Sequence, residues 1–187
     1  MKFGVRLHWG LYSIWHRGRE SWPFLNMSLE DRQQYNELFK TWNPVGFDAD
    51  EWESLFQESG MKMFAFTSKH HEGLSMFDTK TRVCQRANWT ASGGPKIESR
   101  DLAYSIMETP FRRDVIKELS DAAHKRNIKI DLYFSHPDWY DADFRPYVRT
   151  LCKFLPPQLC SQKWTSAAPN RPMEGIRLSC RIRRRPR

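Results

Sequence analysis

The chain has 187 residues, 40% of them apolar and 14% aromatic, enough for one domain with a substantial core and too few for two. No apolar run approaches the roughly 20 residues of a membrane helix, and no charged-then-apolar leader precedes the first strand-like run, so neither a span nor an export signal is expected. The formal net charge of +8 is confined to one end, residues 1–145 holding 20 Lys and Arg against 21 Asp and Glu, so a specific nucleic-acid partner is not expected.

Phe3-Gly4-Val5-Arg6-Leu7-His8 reads as a first strand, ended by Gly10, that delivers His8 and Trp9 to its exit. Ser28 then caps a helix with Tyr35, Leu38 and Phe39 on one face. After Asn43-Pro44, Asp48 opens a second helix whose early carboxylates suit its N-terminus and whose buried stripe is Trp52, Leu55 and Phe56; Gly60 stops it. Lys62 to Thr67 has the near-continuous apolar character of a parallel strand covered on both faces. It opens into Lys69-His70-His71-Glu72-Gly73. A long loop from Glu72 to Pro110 follows, containing Ser92-Gly93-Gly94-Pro95.

Asp114 begins a third helix, with Val115, Ile116, Leu119, Ala122 and Ala123 facing inward and Asn127 near its end. Ile128 to Phe134 is the third strand, running into Ser135-His136-Pro137-Asp138-Trp139. Alternating strands and helices argue for an α/β fold with a parallel sheet and right-handed crossovers. All three strand exits carry polar or aromatic side chains, which suggests one shared pocket and fits a TIM (β/α)₈ barrel best. A full barrel takes about 250 residues, so the expectation is a partial barrel, its first three β/α units lying within residues 1–148.

Beyond that boundary the composition changes. Residues 146–187 hold 10 Lys and Arg against the single acid Glu174, with three of the four Cys and six of the eleven Pro. Such a segment buries too little apolar surface to offset its ordering entropy. We read 149–187 as a basic, disordered tail, not homologous to the rest, or as the product of a shifted reading frame. Cys84, Cys152, Cys160 and Cys180 have neither metal-ligand spacing nor a compact disulfide pattern.

Six ordered motifs carry a resemblance. They are Phe3 to Ser13, Gly18-Arg19-Glu20-Ser21-Trp22, Phe47 to Trp52, Lys69 to Gly73, Thr109-Pro110-Phe111-Arg112-Arg113-Asp114, and Tyr133 to Trp139. In this order they resemble the family 29 glycoside hydrolases, the retaining α-L-fucosidases, over about residues 1–145. The resemblance implies that His8, His70 and His71 bind fucose hydroxyls, that Trp22 and Glu20 line the subsite, and that Tyr133 sits beside the reacting carbon. A neutral imidazole offers one donor and one acceptor on a rigid plane, so several from different strands can match a sugar's fixed hydroxyls. In that resemblance Trp22 is expected to pack on the C5 methyl of fucose.

Retaining glycosidases need a nucleophile and an acid/base carboxyl roughly 5 Å apart. In the family the nucleophile is an Asp on the fourth barrel strand and the acid/base Glu comes later, and this chain departs from the pattern before either. Asp131 and Asp138 are poor substitutes, so no catalytic residue is assigned and a truncated, inactive fucosidase chain is expected. Two other readings stand beside it. One is a non-catalytic fucose-binding module with a basic tail. The other is a three-histidine zinc site, disfavoured because neighbouring residues on a strand point to opposite sides. No cofactor or metal is expected, and His16, His124 and His136 read as loop or surface residues. The partner implied is a fucosylated glycan. Oligomeric state is not legible, and the family suggests a secreted, periplasmic or lysosomal setting. Asn88-Trp89-Thr90 is a formal glycosylation acceptor.

Overall fold

The computed structural model of the chain describes residues 3–144. The tail expected over 149–187, and the boundary before it, lie outside the described residues. Three parallel strands, β1 (Val5–Leu7), β2 (Met63–Lys69) and β5 (Lys129–Phe134), form a sheet in the order β1-β2-β5. Phe64 of the central strand pairs in register with Val5 on one side and Ile130 on the other. The apolar run of β2 buries Phe64 and Phe66 completely, as its central place requires.

Between β1 and β2 come the short α1 (Tyr12–Trp15), a 3₁₀ turn over Trp22–Asn26, α2 (Leu29–Glu37) and α3 (Ala49–Glu58). Both longer helices start on the residues the sequence marks. The Ser28 hydroxyl accepts from the Asp31 amide at 3.0 Å and the Asp48 carboxylate from the Glu51 amide at 3.0 Å, each satisfying an N–H with no partner inside its helix. After Glu37 the coil tightens to 3₁₀ geometry over Leu38–Thr41, with Phe39 buried. The stripe of α3 differs from expectation. Ala49, Glu53 and Phe56 are buried and Trp52 half-buried, whereas Leu55 is 60% exposed. Spacings of four and three residues from Ala49 trace one face, and Leu55 lies off it.

The stretch from Glu72 to Pro110 is not one loop. It holds an antiparallel hairpin, β3 (Val83–Asn88) with β4 (Lys96–Leu102), and a 3₁₀ turn at Ile106–Glu108. Gly93 and Gly94 turn the hairpin with φ of 82° and 102°, a region open to glycine without steric cost. The sequence concealed β4 because Lys96 to Ser99 are all exposed, leaving no alternation to read. Arg86 and Arg100 hold the hairpin to Glu37 at the end of α2, with N···O distances of 2.5 and 3.6 Å.

Helix α4 (Val115–Lys125) buries all five residues predicted to face inward. It packs on α3 and β5, and Arg126 locks the helix pair by donating to Asp50 at 2.6 Å and Ser54 at 3.0 Å. Trp9, expected at the rim, instead stacks among Trp42, Phe47 and Trp52 at ring distances of 5.1 to 5.4 Å. Its ring thus joins the aromatic core, while that of the preceding His8 lies 5.6 Å from His70. The outcome is a mixed α/β fold whose parallel sheet presents three C-terminal strand ends side by side.

Candidate functional site

His8 follows β1, His70 and His71 follow β2, and Tyr133 stands near the end of β5, so adjacent strands bring them to one edge of the sheet. The rings of His8 and His70 are 5.6 Å apart, and Tyr133 lies 6.2 Å from each. The imidazoles of His70 and His71 are 4.4 Å apart. They share a side because β2 ends at Lys69 and the chain turns, the Gly73 amide donating to the His70 carbonyl at 3.1 Å. The opposite-facing geometry of a continuous strand therefore does not apply.

The turn depends on Gly73. Its φ is 94°, and a Cβ there would meet the Asp138 carboxylate at 2.5 Å, so a side chain would displace the loop after β5. Lys69 pins that loop from below. Its buried ammonium donates to the carbonyls of Ser135 and Pro137 at 3.1 and 2.9 Å and pairs with Asp138 at 3.2 Å. Asp138 also accepts from the Tyr140 and Asp141 amides. That carboxylate therefore orders the loop. Asp131 lies on the exposed edge strand β5.

Each imidazole has a hydroxyl at Nδ1. Thr67 Oγ1 is 2.7 Å from that atom of His8, Ser21 Oγ shares a hydrogen bond with His70, and Ser135 Oγ shares one with His71. A partner at Nδ1 fixes ring orientation and leaves Nε2 to face the pocket. Glu20 closes the arrangement, its carboxylate 3.6 Å from Nε2 of His8 and 3.8 Å from Nε2 of His70. Trp22, 49% exposed, sets its edge on His71 at 4.6 Å. Trp139 supports the same imidazole from another side at 5.0 Å. The Arg6 guanidinium lies over the Tyr133 ring at 4.9 Å.

All three histidines are held neutral near pH 7. Burial lowers each pKa first, and for His70 the charges of His71, His8, Lys69 and Arg6 add to it, bringing it to about 3. Beneath them lies Glu72, 2% exposed, whose carboxyl burial pushes up to about 8 against the pull of Lys69. It approaches Nδ1 of His70 at 3.7 Å. Among the described residues no cluster of His, Cys, Asp and Glu is placed to hold a metal ion.

The six residues singled out from sequence, His8, Glu20, Trp22, His70, His71 and Tyr133, thus converge, while His16 caps α1 and His124 and His136 are exposed. What sequence reasoning missed is the support: Thr67, Ser21 and Ser135 at the Nδ1 atoms, Tyr12 with its ring 5.7 Å from His70, and Trp139. Ser21, Thr67 and Ser135 lie beside the recognised motif residues, but pairing a hydroxyl with a histidine across strands needs the sheet order.

Comparison with known proteins places this arrangement in context. The family profile described as Alpha-L-fucosidase matches residues 1–153. The human tissue α-L-fucosidase is 31% identical, the match covering 74% of this chain and 28% of that protein; a putative α-L-fucosidase of Caenorhabditis elegans is 29% identical, covering 84% and 32%. Among solved structures, an α-L-fucosidase from Bacteroides thetaiotaomicron superposes with a TM-score of 0.57 at 28% identity, over 76% of this chain and 29% of that one. The Lactobacillus casei α-L-fucosidase in complex with its α-L-fucose product gives 0.54 at 32% identity, over 74% and 39%. The chain therefore spans about a third of the length of these relatives, and the ordered motifs, the parallel sheet and the profile match together show that it belongs to the α-L-fucosidase family.

Proposed function

We propose that this chain is the sugar-holding part of a retaining α-L-fucosidase catalytic domain, acting on terminal fucose of glycans, with residues 1–148 supplying the first three β/α units of a (β/α)₈ barrel. The observation that carries this reading is the convergence of three neutral imidazoles and one carboxylate at the exits of adjacent parallel strands. Glu20 stands 3.6 and 3.8 Å from the Nε2 atoms of His8 and His70, beyond direct hydrogen-bond length. A ligand hydroxyl entering between them bonds to imidazole and carboxylate together, and burial strengthens those bonds. Trp22 offers an apolar edge for the C5 methyl group, and Tyr133 closes the floor.

The carboxyls nearest the imidazoles, Glu20 and Glu72, approach opposite nitrogens of the His70 ring, and Glu72 is sealed from solvent. They do not form the facing pair that retention requires, so we assign no catalytic residue among the described residues. The expected behaviour is binding without turnover. Titration calorimetry of the 187-residue protein with methyl α-L-fucoside should show saturable binding, weakened at least tenfold in His70→Ala, and nitrophenyl α-L-fucoside should not be hydrolysed. Absence of binding overturns the sugar-holding role, and clear hydrolysis by pure protein overturns the assignment of no catalytic pair.

A further inference from the structure

Trp22 has two surroundings. One edge meets His71, and the ring also lines a second cleft of about 460 Å³, outside the imidazole pocket, together with Trp15, Arg17, Arg19, Met27 and Asp31. The loop joining the two is tightly shaped. His16, Gly18 and Glu20 all have positive φ, at 55°, 79° and 46°, and a Cβ on Gly18 would come within 2.5 Å of the Pro23 ring. Glu20 belongs to the imidazole pocket, and its neighbour Arg19 belongs to the cleft. The two sites therefore meet along Trp22.

The chemistry of the cleft differs from that of the pocket. Indole walls at Trp15 and Trp22 suit the apolar face of a pyranose ring. Arg17 lies 5.0 Å over the Trp15 ring and 3.8 Å from the half-buried Asp31, a loose pair whose guanidinium is exposed. Arg19 is exposed and has no carboxylate within salt-bridge distance among the described residues. Two guanidiniums against one carboxylate leave the cleft with an uncompensated positive charge, carried by the group best suited to bidentate recognition of planar or tetrahedral anions.

We infer that this cleft is a binding subsite for an anionic sugar, one bearing a sulfate ester or a carboxylate, placed next to the fucose. The adjacency rests on the reading of the imidazole pocket as a fucose site; the cleft's own preference for an anionic pyranose does not. Trp22 serves both, its edge toward the deoxy-sugar and its ring toward the neighbouring residue of the glycan. Arg19 supplies the charge contact, and Arg17, released from Asp31, adds a second.

Calorimetry or saturation-transfer NMR on the 187-residue protein tests this with glucose, glucose 6-sulfate, glucuronate and methyl α-L-fucoside as separate probes. At low salt at least one anionic probe should bind about two- to fivefold more tightly than glucose, an advantage of the size expected for one exposed charge contact. It should vanish near 1 M salt, where the screening length is about 3 Å. Arg19→Ala should remove the advantage while leaving methyl α-L-fucoside binding unchanged, and Arg19→Lys should restore part of it. Comparison of the two anions identifies which group the cleft takes. Equal binding of glucose and both anionic probes, or an advantage that survives Arg19→Ala and Arg17→Ala together, overturns the proposal. Loss of methyl α-L-fucoside binding alone, with Arg19-dependent anion binding intact, strikes the fucose reading and supports the cleft.

Discussion

A buried imidazole presents a defined hydrogen-bonding edge only if its ring is held in one orientation, and a hydroxyl at Nδ1 holds it here. Ser21 shares a hydrogen bond with Nδ1 of His70 and lies close enough to the Glu72 carboxyl to lower its pKa, so it stands between the ring and the buried acid. Ser21→Ala removes this tie without opening a large cavity. The expected result is a five- to tenfold loss of methyl α-L-fucoside affinity, the scale of one hydrogen bond, and a shift of the His70 ¹⁵N resonances toward a mixed tautomer. Ser21→Thr should retain both the resonances and the affinity. An unchanged ¹⁵N spectrum in Ser21→Ala would show that Ser21 does not set the tautomer. Glu20, at a φ of 46°, shows a related device at the backbone: a left-handed residue bends the loop so that Glu20 faces the imidazoles while the adjacent Arg19 lines the cleft.

Among the elements, legibility followed amphipathic pattern. Helix α4 was readable residue by residue because its apolar positions recur at helical spacing and Asp114 caps it, accepting from the Lys117 amide at 2.8 Å. Strand β2 was readable because a central parallel strand is apolar throughout. Strand β4 was not, since a polar strand on a small exposed sheet carries no period, and the site's supporting hydroxyls were not, since they act across strands distant in sequence. Leu55 was misplaced by its hydrophobicity alone. Its exposure leads to a contrast: Leu55→Ala should change stability by no more than about 0.5 kcal/mol, and Phe56→Ala, deleting a ring packed 5.4 Å from Phe64, should cost about 3–5 kcal/mol. Urea unfolding followed by tryptophan fluorescence measures both, and a Leu55→Ala loss near that of Phe56→Ala would restore the stripe read from sequence.

For the molecule as a whole, the burial of titratable groups sets two opposed pH dependences. His70 falls from 6.5 to about 3 on folding, and His8 and His71 are also lowered. The unfolded chain therefore binds protons more readily there, and stability is lost as pH falls from about 6.5 toward 3. Glu72 and Glu53 are shifted the other way by burial, from 4.5 to about 8 and about 7, and Asp141 from 3.8 to about 6. For these the folded state holds the proton, so their contribution is complete below the unfolded values and lost as pH rises through the folded ones. Between about 4.5 and 6.5 the two slopes oppose each other. Above 6.5 the three imidazoles are neutral in both states and the two glutamates dominate. The thermal midpoint should thus fall between about pH 6.5 and 8.5, by about 5 °C or more given the 2–4 °C per kcal/mol typical of this chain length. Glu72→Gln keeps the size of the side chain and removes the titration, so it should flatten most of that decline, with Glu53→Gln removing much of the rest. Scanning calorimetry across this range decides the matter: a midpoint that holds steady or climbs through pH 8 would mean that Glu72 is ionised in the folded protein, and the neutral floor beneath His70 would have to be abandoned.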